Sequence, residues 1–190
     1  MDLPSVDDIC QAVERALRDR PALDHVTFSG NGEPTLHPEF PEMVEAVRRV
    51  KDHLAPAARL AILSNSSTLG DARVREALTP LDVRIMKLDV GNEAALSRFN
   101  RPMPGITLAS IVDALAGLPA VTLQALFARG PGGNLGVGDV ADWVDQVVRI
   151  RPVAVQVYTL ARGYPARDIA PASPEDLQGI RATLSARGVP

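Results

Sequence analysis

Three observations predict an α/β fold built on a parallel sheet. Five short apolar runs recur along the 190 residues, segments with helical spacing of apolar side chains lie between them, and Gly and Pro fall mainly at the joints. Runs that are apolar along their whole length suit strands covered on both faces. Strict alternation of strand and helix then requires parallel strands with right-handed crossovers, in a doubly wound sheet or a β/α barrel.

Val6, Ile9, Val13, Ala16 and Leu17 recur at spacings of three and four, which predicts a helix with Ser5 or Asp7 as its N-cap. His25–Ser29 is the first predicted strand. A second helix follows from Met43, Val44, Val47, Val50 and Leu54, set opposite Glu42, Glu45, Arg48 and Arg49. Leu60–Leu63 is the second strand, and the short helix from Asp71 to Leu78 is ended by Pro80. Val83–Leu88 is the third strand. A turn around Glu93–Phe99 precedes a helix over Thr107–Leu118, the fourth strand Val121–Phe127, and a helix over Asp139–Ile150 carrying Trp143, Val144, Val147 and Val148. Val153–Thr159 is the fifth strand. The last helix spans Ser173–Ala186, with Ser173 as cap and Pro174 at its first position.

Composition narrows the function classes. Twenty basic against 23 acidic residues give a net charge of −3, and the length suits one domain over 1–190. With 4 Phe, 1 Trp and 2 Tyr, the core must be built from Ala, Val, Leu and Ile, and an aromatic platform for nucleic acid is disfavoured. Arg48-Arg49, Arg98 and Arg101 form no basic stripe, so charge gives no nucleic-acid signal. The single cysteine, Cys10, excludes an internal disulfide framework and any metal site needing several thiolates from this chain alone. His25, His37 and His53 lack metal-ligand spacing and read as structural. Neither a Gly-x-Ser-x-Gly elbow nor a phosphate loop occurs. The start, Met1 to Asp8, is acidic and unlike a signal peptide, and Ala114–Ala128, interrupted by Pro119, is too short to span a bilayer. A cytoplasmic protein is expected.

In parallel α/β folds the loops at the C-terminal strand ends form the functional rim. Here they carry Ser29-Gly30-Asn31-Gly32-Glu33-Pro34-Thr35, Ser64-Asn65-Ser66-Ser67-Thr68, Lys87-Leu88-Asp89, the Gly-rich stretch after Arg129, and Tyr158-Thr159-Leu160 with Arg162 close behind. Gly30 and Gly32 let backbone approach a ligand and offer N–H groups to a carboxylate, while Glu33 supplies an acceptor for an ammonium group. That combination fits a zwitterionic amino-acid moiety, although from spacing alone a tight turn with a solvated Glu33 is the better reading. Asn65 can donate and accept at once, or cap the following segment. Lys87 and Asp89 share one side of a strand, where ligand contact and mutual pairing are the two explanations. Gln124 could point inward in the same way.

The string from His25 through Gly30-Asn31-Gly32-Glu33-Pro34-Thr35 to His37-Pro38 resembles the second strand and loop of radical S-adenosylmethionine (radical SAM) proteins. Within them it is most similar to the iron–sulfur oxidoreductases related to wybutosine-type enzymes. The resemblance continues through Leu63–Ser67, Met86–Gly91, Phe99-Asn100-Arg101-Pro102 and Val155–Tyr158. It implies a partial parallel (β/α) barrel. It further implies that Gly32-Glu33-Pro34 holds the methionyl amino group of S-adenosylmethionine. Ser64, Asn65, Lys87 and Asp89 would then contact its carboxylate and ribose, and Val157 and Tyr158 would lie near the adenine.

Proteins of this family bind a [4Fe–4S] cluster through a Cys-x3-Cys-x2-Cys loop after the first strand and cleave the cofactor reductively to a 5′-deoxyadenosyl radical. This chain opens on a helix and has neither that strand nor that motif, so the expectation is a truncated barrel without a cluster, inactive alone. Two alternatives stand beside it: a non-catalytic nucleoside-binding module, and an unrelated β/α-barrel lyase using Lys87. Loss of a first strand would also leave the edge of His25–Ser29 open to a partner or to self-association.

Overall fold

The computed structural model describes residues 3–20, 22–161, 163–164 and 166–189; Met1, Asp2 and Arg162 of the expectations above lie outside them. The elements run α1 (Val6–Asp19), β1 (His25–Phe28), a 3-10 turn (Pro34–Leu36), α2 (Phe40–Leu54), β2 (Arg59–Ser64), α3 (Ala72–Leu78) and β3 (Val83–Lys87). They continue with α4 (Glu93–Ala95), a π-helical turn (Leu96–Asn100), α5 (Leu108–Gly117), β4 (Val121–Arg129), α6 (Val137–Ile150), β5 (Ala154–Thr159), β6 (Ala170–Pro171) and α7 (Pro174–Ala186). The strand order is β1-β2-β3-β4-β5, with β6 on β4. A doubly wound sheet reverses its order at a switch point; this one does not, which leaves the winding of a β/α barrel. The chain packs as two compact units, Met1–Ile85 and Met86–Pro190.

In the first unit, Ser5 caps α1 through a capping box with Asp8, which selects Ser5 over Asp7 as the cap. α2 starts three residues before the expected Met43, because Pro41 suits a first turn and Phe40 is buried there, edge-on to Phe28 of β1. β1 and β2 pair in parallel from His25 opposite Arg59 to Phe28 opposite Ile62. Phe40, Met43, Val44 and Val47 of α2 are buried, as are Leu60 and Ile62 of β2. Val13 and Leu17 of α1 pack with Ala55 and Ala58, beyond the end of α2. Lys51 is buried among them with its ammonium on Ala58 O at 2.9 Å and on Asp52 at 2.7 Å, so its charge is paired and its stem fills space.

In the second unit, β4 and β5 pair in parallel from Thr122 opposite Ala154 to Phe127 opposite Thr159. Val121, Leu123, Ala125 and Phe127 are buried, while Thr122, Gln124 and Leu126 are half-exposed, so only one face of β4 is fully covered. Phe127 meets Trp143 of α6 edge-on at 4.9 Å between centroids. α6 begins at Val137, which is 91% exposed and outside the apolar stripe, so the periodicity first shows at the expected start, Asp139. Ser173 caps α7 with Asp176, as the sequence predicts. The sequence gives no sign of β6, which is two residues long and pairs antiparallel to the end of β4.

Two predictions follow from this packing. A Cβ at Gly91 would collide with the backbone of Trp143, so Gly91→Ala should destabilise the protein by about 1–3 kcal/mol, read by urea unfolding on the fluorescence of Trp143, the single tryptophan. The Arg129 guanidinium, together with the N–H and hydroxyl of Ser173, lowers the Asp176 carboxyl from 3.8 to about 2. Because the folded value is depressed, this stabilisation is present above pH 3.8 and is lost as the pH falls through about 2. An NMR titration of Asp176 should find that midpoint, and in Arg129→Met a midpoint moved up towards the ordinary aspartate value but still held below it by Ser173.

Candidate functional site

Glu33 organises the candidate residues of the first unit. Its Oε1 accepts from the Thr35 N–H at 3.2 Å and the Thr35 hydroxyl at 2.6 Å, which caps the 3-10 turn; its Oε2 accepts from the Asn65 N–H at 2.6 Å. One carboxylate thus ties the loop after β1 to the loop after β2. Three donors occupy a group with about four acceptor positions, leaving room on Oε2 for one further donor. The Thr35 and Thr68 hydroxyls, 2.5 Å apart, join the same loops a second time.

Asn65 is exposed and its Oδ1 accepts from the Ser67 N–H at 2.9 Å. That Asx turn fixes the loop but leaves the Asn65 amide nitrogen at the surface. Ser64 is buried and its hydroxyl accepts from the Ser66 N–H at 3.1 Å, so its side chain shapes the turn. Ser66 takes a left-handed backbone with φ of 67°. Gly30, Asn31 and Gly32 are exposed, and a Cβ at either glycine would meet nothing closer than 3.8 Å. Neither glycine is demanded by the surrounding protein, and the backbone there is open to an approaching group. A cavity of about 540 Å³ borders this loop, lined by Val26, Phe28, Ile9, Val13, Leu36 and Glu33 among others. His37, read as structural, bridges Pro4 O at 3.1 Å and accepts from the Glu39 N–H at 3.2 Å.

The second unit brings Lys87, Asp89 and Tyr158 together. Lys87 Nζ lies 3.3 Å from Asp89 Oδ2 and is hydrogen-bonded to Tyr158. Burial works against its charge, but Asp89 and Tyr158 outweigh it and hold the ammonium above the ordinary lysine range. Asp89, 4% exposed, also accepts from the Leu126 N–H at 2.8 Å and from Asn100 Nδ2 at 2.9 Å. Asp89 therefore positions its neighbours and is paired with Lys87.

Asn134 and Asn100 support this cluster; the sequence marks Asn100 only as part of the string Phe99-Asn100-Arg101-Pro102, with no role, and does not mark Asn134. Asn134, 1% exposed, donates to Asp89 O at 2.7 Å and Leu126 O at 2.8 Å, and accepts from the Ala128 N–H at 2.9 Å. The available signal was an asparagine inside a Gly-rich turn. Asn100 ends a π-helical turn, closed by Arg101 N–H on Leu96 O at 3.0 Å, before Arg101 turns left-handed with φ of 50°. Such turns often mark functional positions. Arg98 is paired with Asp139 at 2.6 Å, and Arg48 and Arg49 with Asp52 and Glu45 on their own helix.

No family model matches the chain. A UPF0026 protein of Synechocystis is 37% identical over 93 residues, covering 49% of this chain and 33% of that protein. GTPase Obg of Brachyspira hyodysenteriae is 26% identical over 163 residues, covering 83% of this chain and 23% of that protein, yet this chain has no phosphate loop. The chain thus spans a third or less of these relatives. Among solved structures, SuiB of Streptococcus suis bound to its precursor peptide superposes with a TM-score of 0.70 at 14% identity, covering 97% of this chain and 39% of that one. A radical SAM methyltransferase of Sphaerobacter thermophilus gives 0.61 at 18%, covering 97% and 55%. Coproporphyrinogen III oxidase of Escherichia coli, a radical SAM enzyme, gives 0.62 at 14%, covering 96% and 46%. The chain therefore has the fold of radical SAM enzymes.

Replacing Asn134 by Ala strands two carbonyls and one N–H in a buried place, each worth about 1–3 kcal/mol. Asn134→Ala should lower stability by about 3 kcal/mol or more, measured as the shift in urea midpoint at unchanged slope.

Proposed function

We propose that this chain is a radical SAM-type domain whose role is to bind S-adenosylmethionine. The observation that carries the proposal is the Glu33 clamp, a carboxylate held from Thr35 and Asn65 with one acceptor position to spare, beside glycines the fold does not need. These residues fit the amino-acid end of the cofactor: Glu33 takes the ammonium and the N–H groups of Gly30, Asn31 and Gly32 serve the carboxylate. Asn65 donates from its amide, and Ser64 holds the turn that presents it. The resemblance adds Lys87 as a cation for an anionic or hydroxyl group, Asp89 as the residue that positions Lys87, and Tyr158 beside the base.

When bound, the cofactor supplies an electrophilic sulfonium, and its reductive cleavage in radical SAM enzymes needs a [4Fe–4S] cluster. This chain does not fit a cluster. Cys10, on α1, is its single cysteine, and no group of three potential metal ligands occurs among the described residues. The proposal is accordingly cofactor binding in a cytoplasmic protein, with no cleavage by this chain alone. No described helix is long and apolar enough to cross a membrane.

The lyase alternative is disfavoured by Lys87 itself. A Schiff-base or general-base lysine needs its ammonium destabilised, and here Asp89 and Tyr158 stabilise it against burial. β1 stands at the end of the strand order, and Val26 and Phe28 line the adjoining cavity, which supports self-association through that edge. Light scattering at rising concentration should then show dimers; a monomer throughout would rule this out.

Calorimetry of the iron-free protein should show heat on titration with S-adenosylmethionine. Glu33→Gln retains an acceptor for Thr35 but removes the charge, so it should bind at least about tenfold more weakly with an unchanged circular dichroism spectrum. No heat at millimolar ligand, or equal affinity in Glu33→Gln, would overturn the proposal.

A further inference from the structure

The open face of the sheet in the second unit carries a polar row in which two glutamines not assigned to the cofactor stand beside Lys87 and Tyr158, which are. Leu88 N–H donates to Gln124 O at 3.1 Å, which in a parallel ladder sets Lys87 at the level of Gln124. Gln124 in turn lies directly opposite Gln156 on β5. Lys87, Gln124 and Gln156 therefore share one level on three neighbouring strands, with Tyr158 one step further along on the same face.

The two glutamines are joined by Gln124 Nε2 donating to Gln156 Oε1 at 3.0 Å. That bond uses one donor and one acceptor of side chains that each hold about two of both. Gln124 Oε1 and Gln156 Nε2 have no other partner among the described residues. Gln124 is half-exposed and Gln156 exposed, so the pair offers an acceptor and a donor side by side to whatever occupies that face. Stability does not explain them. A solvent-facing amide pair adds little to folding and restricts two long side chains, at positions where β-branched residues suit a strand better.

We infer that this row is a substrate subsite for a flat ligand carrying a carboxylate next to a lactam edge. The lactam N–H donates to Gln124 Oε1, its carbonyl accepts from Gln156 Nε2, and the carboxylate faces the ammonium of Lys87. Neighbouring strands lie about 4.8 Å apart, so a single six-membered ring with both groups spans the row. This names the substrate class for the proposed cofactor-binding domain, and rests on that proposal in taking this face as the substrate side. The mutual alignment of the glutamines means that the site is arranged before the ligand arrives.

The test is competition between three probes on the intact chain, followed by NMR titration: orotate with both groups, benzoate with the carboxylate alone, and uracil with the lactam alone. Orotate should bind at least about tenfold more tightly than either. In Gln124→Leu/Gln156→Leu, orotate should fall to the level of benzoate while benzoate itself is unchanged, with Trp143 fluorescence confirming the fold. Lys87→Met should weaken orotate and benzoate but not uracil. Orotate binding no better than benzoate, or binding equally well to the double glutamine variant, overturns the inference. Calorimetry with S-adenosylmethionine on the same samples separates the two proposals. Cofactor binding without orotate discrimination sinks the subsite alone, whereas orotate discrimination without cofactor binding supports the subsite and sinks the cofactor reading.

Discussion

The way the chain leaves β3 governs the second unit. Beyond Lys87 the backbone would continue the ladder with β4, but two side chains take the places of backbone groups. The Trp143 indole N–H occupies Leu88 O at 2.7 Å, and the Asp89 carboxylate captures the Leu126 N–H at 2.8 Å. Asn134 then bridges Asp89 O and Leu126 O across the gap. Leu88 O, Leu126 N–H, Leu126 O and Asp89 O are thus all satisfied while the strand ends, which lets the following loop turn away without orphaning those peptides. No buried side-chain polar atom lacks a partner among the described residues.

Fixing this departure has chemical consequences. Asp89 is held by Leu126 and Asn100 before it meets Lys87, so its charge is oriented in advance and the Lys87 ammonium is retained despite burial. The same substitution anchors α6, because Trp143 is bound at Leu88 O, stacked edge-on to Phe127 and pressed against Gly91. The absence of a side chain at Gly91 is what permits that approach. Packing on the covered face and charge on the open face are thus set by one group of residues.

Glu33 plays the corresponding part in the first unit. An exposed acidic residue after a glycine pair is ordinarily a solvated turn, and the clamp across to Asn65 N–H distinguishes this one. Because its acceptors are mostly occupied, it serves both as a structural tie and as a charge of fixed position, which a ligand-binding carboxylate requires.

The sequence by itself determined the five longer strands, the long helices and their alternation, hence a parallel sheet. Continuous apolar runs and period-3.6 patterns are local, so β1 to β5 and the long helices were legible to within a few residues at their ends, and Ser173-Pro174 announced α7 because capping is a local bond. Also legible was the polarity of the strand-end loops, including Gly30 to Glu33, Asn65, Lys87, Asp89 and Tyr158. Tertiary structure decided what each residue does there. That Ser64 is buried, that Asp89 accepts from a β4 peptide, and that Asn134, 45 residues away, donates to its carbonyl all depend on pairings between distant segments. So does the choice of a sequential strand order over a doubly wound one. Local spacing records which face a side chain takes; only the register between strands records which groups it meets there.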